Sequence, residues 1–372
     1  VSQGAANLAE APLVALCAGG TGGHLFPAEA LSHALHAQGV RVALITDTRA
    51  ADYAGAFPAE SLHAVPAATP SGKSPLKMAR AALVLLRGAW AARQAIKQLE
   101  PAIVVGFGGY PTVPPVFAAA LMGVPTMLHE QNAVIGRANR FLAGRVRAIG
   151  TGFAEVGGLT PAQAALAVQV GNPVRPAVIA AASPYPDPSE RLNLLVFGGS
   201  QGARVMADIV PPAIQLLSAQ ERSRLSIVQQ ARAEDEERVR KIYSSLGIRA
   251  EIAPFFKDLP ARMAAAHLVI ARSGASTVAE LSVIGRPSLL VPLPGSLDQD
   301  QAANAAVLTE AGAAMTIMQS DFSPRRLAAE LSELIGEPSR LTAMAGAAKS
   351  AGIPDAAERL ARLVLRTAGL SA

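Results

Sequence analysis

The chain has 372 residues, too many for one ordinary core and enough for two domains of similar size. It is 51% hydrophobic but only 4% aromatic, and its many glycines and prolines are scattered, which fits a globular α/β protein and excludes a disordered one. Its net charge of +5 suits an anionic ligand or membrane surface without demanding either, and the absence of any dense Lys/Arg block or basic–aromatic interleaving argues against nucleic acid.

The lone Cys17 leaves no intrachain disulfide to form and fits a reducing compartment. Val1-Ser-Gln-Gly4 carries neither a basic segment nor the apolar core of a secretory signal. No stretch reaches the roughly 20 apolar residues that spanning a bilayer requires. The expectation is a chain neither secreted nor transmembrane.

Leu13 to Cys17 reads as the first strand. It runs into Ala18-Gly-Gly-Thr-Gly-Gly-His24 and then a helix with Pro27 in its first turn, Leu31, Ala34 and Leu35 on one face, and Gly39 at its end. Arg41 to Ile45 is the next strand; a Pro/Gly/Ser stretch from Pro66 to Pro75 precedes a helix through Lys97. Ile103 to Val105 opens onto a second glycine turn, Gly106-Phe-Gly-Gly-Tyr110, and Pro125 to Leu128 leads into His129-Glu-Gln-Asn132. Strand and helix thus alternate, with the unusual residues gathered after the C-terminal ends of strands, where open parallel sheets bind ligands.

Between Gly171 and Arg191 the chain turns proline-rich, which marks a domain boundary. Beyond it come a strand from Leu192 to Phe197, the turn Gly198-Gly-Ser-Gln-Gly202, a helix, and strands at Leu225 to Val228 and Ala250 to Ile252. Then follows a β-α-β unit: the apolar run Leu268 to Ala271, the small-residue turn Arg272-Ser-Gly-Ala275, a helix stopped by Gly285 and Pro287, and a second apolar run, Ser288 to Val291. Asp298-Gln-Asp-Gln301 begins another helix ending near Gly312, and amphipathic helices close the chain, the last from Pro354 to Arg366. The expected architecture is α/β: two Rossmann-like, doubly wound domains facing a cleft.

The turn at 272–280 suits a nucleotide. Ser276 and Thr277 can cap its helix, whose free N–H groups and dipole favour a phosphate, and Glu280 one turn further on can accept hydrogen bonds from a ribose diol. A capped helix with an exposed Glu carries the same residues. The first glycine loop begins a dinucleotide pattern, with Asp47 near the expected acidic position, but Leu25 stands where the third glycine belongs. An oxidoreductase or epimerase using NAD therefore remains open from this loop alone. No Walker loop occurs, and the histidines lack metal-ligand spacing, so no metal is expected. Outside the NAD alternative, no cofactor is expected either.

His24 can be a turn cap or a general base, since imidazole titrates near neutrality; Glu130 is the competing base. Lys73, Lys77, Arg80 and Arg87 interleave with Leu76, Met78, Leu83 to Leu86 and Trp90, which is either a face for an anionic bilayer surface or an ordinary helix buried on one side.

Gly19-Gly-Thr-Gly-Gly-His24, Gly106 to Tyr110, His129 to Asn132 with Gly136 and Asn139, and Gly171-Asn-Pro-Val-Arg175 come in that order. Gly198 to Arg204, Arg272 to Ala275 with Thr277 and Glu280, and Asp298 to Gln301 with Asn304 follow them. Together they resemble the MurG family of bacterial N-acetylglucosaminyl transferases, over nearly the whole chain.

The resemblance implies a GT-B fold, with residues 1–174 as the acceptor domain, 175–354 as the UDP-sugar domain and 355–372 packing back on the first. It implies inverting, metal-independent transfer from UDP-N-acetylglucosamine to the C4 hydroxyl of the muramyl sugar of lipid I, forming lipid II. This would take place as a peripheral enzyme on the cytoplasmic face of the inner membrane. A non-catalytic nucleotide-sugar-binding protein is the further alternative.

By the same resemblance Ala275, Ser276, Thr277, Val278, Ala279 and Glu280 take the diphosphate and ribose, Phe256 lies by the uracil and Gln301 holds sugar hydroxyls. Ser200 and Arg175 sit near the diphosphate, and Thr21, Gly22, Gly23 and Asn132 complete the sugar side. Gly19, Gly20, Gly108, Gly109 and Tyr110 suit the acceptor's pyrophosphate. Gln230-Ala-Arg232 and Phe256 depart from the family pattern, which there has a Gln-Thr-Gly or Gln-Ser-Gly turn and an aliphatic residue.

Overall fold

The computed structural model describes residues 11–19, 22–48, 57–67, 75–199, 202–296 and 299–370, with helix side chains described from residue 83 onward in the segment that begins at Pro75. It divides into two compact units, residues 1–175 with 354–372 and residues 176–353.

In the first unit, β1 (Leu13–Cys17) leads into α1 (Gly22–His36), followed by β2 (Arg41–Asp47), β3 (Ser61–Val65), α2 (Pro75–Leu99) and β4 (Ile103–Gly106). Next come α3 (Val113–Leu121), β5 (Thr126–Glu130), α4 (Arg137–Leu142), β6 (Ala148–Thr151) and β7 (Ala167–Gln169). These strands form one parallel sheet in the order β3-β2-β1-β4-β5-β6-β7. Successive strand residues point to opposite faces, and both faces are covered. Val14, Leu16, Leu44, Ile103 and Val105 lie in one layer with Leu31 and Leu35 of α1; Ala15, Cys17, Ile45, Val104 and Leu128 lie in the other with Ile96 of α2, Val116 of α3 and Leu142 of α4. Each such aliphatic side chain contributes roughly 1.5–3 kcal/mol of burial. Cys17 belongs to this core, and burial pushes its thiol far up from the ordinary range.

The second unit repeats the plan with β8 (Leu192–Phe197), α5 (Arg204–Leu216), β9 (Leu225–Gln230), α6 (Ala233–Ser245), β10 (Arg249–Ala253), α7 (Leu259–Ala265) and β11 (Leu268–Ala271). It continues with α8 (Ala275–Ile284), β12 (Ser288–Leu290), α9 (Asp300–Glu310), β13 (Ala314–Thr316), α10 (Pro324–Gly336) and α11 (Pro338–Ala351). The strand order is β10-β9-β8-β11-β12-β13, again all parallel. The last helix, α12 (Ala356–Ala368), belongs to the first unit: Leu360, Ala361 and Val364 join its core, and α12 lies against α1. A Cβ on Gly150 would stand 3.1 Å from Leu360, so glycine is what lets the helix sit this close to β6.

Both sheets reverse strand order beside their first strand, and the crevice at such a switch is where open α/β sheets take ligands. In the first unit Cys17 is in register with Gly106, and Gly106 with Leu128. The glycine turns after β1 and β4 and the segment after β5 therefore emerge side by side. In the second unit Phe197 is in register with Ala271, which brings the turns after β8 and β11 together in the same way.

Candidate active site

In the first unit the site begins at the N-terminus of α1. His24, in the first turn, stands over the glycine turn after β4: a Cβ on Gly109 would lie 3.2 Å from its Nε2 and one on Gly108 3.4 Å from its Cε1. Gly108 and Gly109 have φ of +85° and +73°, the left-handed region that favours glycine, so this turn is both shaped and kept bare by them. Tyr110 follows in a short 3-10 turn.

Behind His24 runs a chain of buried polar groups. Its Nδ1 lies 3.3 Å from Oε1 of Gln131, whose Nε2 reaches Nδ1 of His129 at 3.0 Å and the His129 carbonyl at 3.1 Å. His129 Nε2 lies 3.0 Å from the Gly171 carbonyl. Burial holds the His129 imidazole down at about 4, with the Gly171 bond opposing the shift.

Glu130 is the neighbouring hub. One carboxylate oxygen accepts from the backbone and side-chain N–H groups of Asn132 at 3.0 and 3.2 Å, and the other from Gly136 N at 3.0 Å and Asn139 Nδ2 at 2.8 Å. Burial raises its carboxyl pKa against the pull of these bonds. The Arg175 guanidinium lies 4.3 Å from the centre of the Phe26 ring in α1, a cation–π contact that brings a positive charge close to the first turn.

In the second unit the site is the N-terminus of α8. Gly274 is its N-cap, and no side chain caps it. The first intrahelical bond runs from Val278 N to Gly274 O, so the N–H groups of Ala275, Ser276 and Thr277 precede the ladder and point out of the helix end. Glu280 is buried one turn in.

The turn ahead of this helix is braced from beneath. Arg272 donates to the carbonyls of Val291 and Pro292 and to Gln319, Ser273 donates to the Gln301 carbonyl at 2.7 Å, and Asn304 donates to the Ser273 carbonyl at 3.2 Å. Gln301 Oε1 accepts from Leu293 N at 3.0 Å, which leaves the N–H₂ group as the end of the amide that can donate elsewhere. In the turn after β8, Gly198 N donates to Gln230, whose amide also donates to the Pro254 carbonyl.

Models of two domain families match the chain, the Glycosyltransferase family 28 N-terminal domain over residues 14–151 and the Glycosyltransferase family 28 C-terminal domain over 193–360. Two transferases named UDP-N-acetylglucosamine--N-acetylmuramyl-(pentapeptide) pyrophosphoryl-undecaprenol N-acetylglucosamine transferase are similar along their whole length. The one from Methylobacterium sp. (strain 4-46) is 63% identical, over 96% of this chain and 97% of its own. The one from Methylobacterium nodulans is 62% identical, with the same coverage. Among solved structures, Acinetobacter baumannii MurG is similar with a TM-score of 0.78 at 28% identity, covering 95% of this chain and 99% of that one. The chain belongs to the MurG family. Its fold is accordingly the α/β GT-B fold, and the dinucleotide-enzyme alternative is not favoured.

The MurG motifs fall where the two sheets open, but several side chains differ from expectation. Helix α1 starts at Gly22, so Pro27 lies inside it and His24 in its first turn; glycines 22 and 23 give no sequence signal of a helix start. Ser276 and Thr277 are not caps: they sit inside α8, because Gly274 already has the extended conformation of an N-cap. Phe256 is buried with the Arg262 guanidinium 4.3 Å from its ring, and the open ring beside it is that of Phe255.

As a rival base Glu130 is poorly placed, since the amides of 132, 136 and 139 occupy both of its oxygens. Asn132 is the residue it orients. Asp47 is buried at the end of β2, its Oδ1 only 2.8 Å from where a Cβ on Gly19 would be. Gly20, Thr21 and Ser200 lie outside the described residues, as do Lys73 and the side chains of Leu76, Lys77, Met78 and Arg80. Sequence reasoning passed over Gln131 and Arg272 as site supports. The apolar strand before Arg272 was the available signal that its side chain turns inward.

Proposed function

We propose that this chain transfers N-acetylglucosamine from UDP-N-acetylglucosamine, with inversion, to the C4 hydroxyl of the N-acetylmuramoyl-pentapeptide of lipid I, forming lipid II for peptidoglycan. The observation that carries the reading is the uncapped N-terminus of α8 with Glu280 one turn behind it, in a chain so close to transferases of that name. The N–H groups of Ala275, Ser276 and Thr277 hold the donor diphosphate, and with the helix dipole they stabilise the charge that UDP gains as the glycosidic bond breaks. Val278 and Ala279 continue the helix that presents them. Glu280 accepts from the ribose diol, the Phe255–Phe256 pair flanks the uracil, and the Gln301 N–H₂ group binds a sugar hydroxyl.

The first unit takes the acceptor. Gly19, Gly20, Gly108, Gly109 and Tyr110 offer backbone N–H groups to its pyrophosphate, while Thr21, Gly22, Gly23 and Asn132 line the sugars. Ser200 and Arg175 add polar and positive groups toward diphosphate. His24 removes the proton from the C4 hydroxyl as that oxygen attacks the anomeric carbon and UDP departs.

Incubation with UDP-N-acetylglucosamine and a short-chain lipid I analogue releases UDP; a folded sample that releases none refutes the assignment, and saturable NAD binding in its place revives the other. Glu280→Ala is expected to raise the donor KM about 10–100-fold, the loss of charge-assisted hydrogen bonds, with a smaller change in kcat. An unchanged donor KM would remove Glu280 from the ribose.

No helix among the described residues is long and apolar enough to cross a membrane. A peripheral contact is supported by α2, where Leu83, Leu86 and Trp90 are exposed at i, i+3 and i+7 beside Arg87. Leu121 of the adjoining α3 and Phe141 of α4 are exposed too, with Arg145 stacked on Phe141. Apolar anchors beside cations suit an anionic lipid surface. Doubling Leu86→Ser with Trp90→Ser is expected to lower binding to vesicles containing anionic lipid about tenfold or more, at the scale of two lost apolar side chains. Equal vesicle binding by the variant would place the membrane contact elsewhere.

A further inference from the structure

We infer that Gln131 and His129 are positioning residues that fix the tautomer of His24, placing the proton on Nδ1 and the lone pair on Nε2. The inference deepens the base role proposed for His24 and rests on it for its catalytic meaning, though not for its geometry.

The direction of every bond in the chain follows from two backbone carbonyls, which can only accept. The Gly171 carbonyl faces His129 Nε2, so that nitrogen carries the hydrogen, and the neutral ring must then present Nδ1 as an acceptor. The His129 carbonyl faces the end of the Gln131 side chain that also meets His129 Nδ1. Both of those partners accept, so this end is the N–H₂ group and the amide cannot be flipped without setting oxygen against two acceptors. Gln131 Oε1 is then the atom that faces His24, and an amide oxygen accepts only. His24 Nδ1 must donate to it. In a neutral imidazole the other nitrogen, Nε2, holds the lone pair.

The surroundings keep this arrangement rigid. Gln131 and His129 are both buried, and Asn172 donates to the Gln131 carbonyl at 2.8 Å. Asn139 donates to the same His129 carbonyl at 3.2 Å, and the Phe107 ring lies 5.6 Å from the His129 ring. Because burial holds His129 at about 4, its Nδ1 stays unprotonated at neutral pH and the N–H₂ end of Gln131 keeps its acceptor. His24 Nε2, the nitrogen left with the lone pair, is the ring atom that lies over the turn at Gly109.

The test is nitrogen NMR of the ¹⁵N-histidine-labelled, full-length protein at neutral pH, assigned with His24→Gln. The expected spectrum has a pyrrole-type Nδ1 and a pyridine-type Nε2 at His24, and the reverse at His129. A His24 ring with its hydrogen on Nε2 overturns the inference. Gln131→Leu is expected to release His24 toward the Nε2–H form and lower kcat on the order of 10²-fold with donor KM unchanged. A Gln131→Leu protein with an unaltered His24 spectrum also overturns it. If the spectra are as expected and His24→Gln turns over normally, the tautomer assignment stands and the base reading falls.

Discussion

His24→Ala is expected to lower kcat by roughly 10²–10⁴-fold, the usual worth of a positioned general base, while the donor KM changes little. The split follows from where the residue sits. His24 belongs to the N-terminal turn of α1, over Gly108 and Gly109, whereas the donor contacts proposed here lie on α8 in the second unit. Removing an imidazole that acts only as the acceptor hydroxyl loses its proton takes away an interaction made in the transition state, so the loss appears in turnover. Steady-state rates of UDP release, with donor and acceptor varied in turn, read both constants. A kcat within threefold of the parent would send the base role to another group. Glu130→Gln is the informative partner variant: its amide cannot accept as the carboxylate does from Asn132, Gly136 and Asn139, so it is read as a positioning residue.

Arg286→Leu is expected to destabilise the second unit by roughly 3 kcal/mol or more, because several buried carbonyls lose their donor at once. Arg286 is 1% exposed. Its guanidinium donates to the carbonyls of Ala264, Ile284 and Gly285, and also to those of Ser183 and Pro184, with Tyr185 packed under it. Burial lowers its pKa from the ordinary guanidinium range. Ile284 and Gly285 end α8, so this one side chain satisfies the carbonyls at the far end of the helix proposed to hold the donor. It also ties that end to α7 and to the proline-rich segment. Lys at this position keeps a charge but lacks the planar fork, and is expected to recover only part of the loss. Urea unfolding followed with and without UDP identifies the second unit's transition as the one that UDP shifts. No movement of that transition in Arg286→Leu would mean that water replaces the lost donors.

Much of the fold was legible from short-range pattern. The apolar runs at Leu13–Cys17, Ile103–Gly106, Leu192–Phe197 and Leu268–Ala271 are strands buried on both faces, and a continuous aliphatic run is what such a strand requires. Glycine turns directly after them were equally plain. Strands at Ser61–Val65, Ala148–Thr151, Ala167–Gln169 and Ala314–Thr316 were not singled out. They lie toward the sheet margins, are short or carry polar and small residues, and owe their pairing to neighbours rather than to their own composition.

What the sequence determined by itself is the order of the parts: two strand–glycine–helix series, a proline-rich join, and the polar residues after strand ends that mark a MurG family member. What only the tertiary structure decided is the direction in which those side chains act. Arg272 turns inward because the carbonyls of 291 and 292 need donors, and Ser276 and Thr277 lie within α8 because Gly274 already occupies the cap. Gln131 meets His24 across 107 residues. No local pattern encodes that contact, since it exists only once parallel pairing has set the ends of β1, β4 and β5 beside one another. Hydrogen-bond direction is then dictated by which groups are left facing which carbonyls.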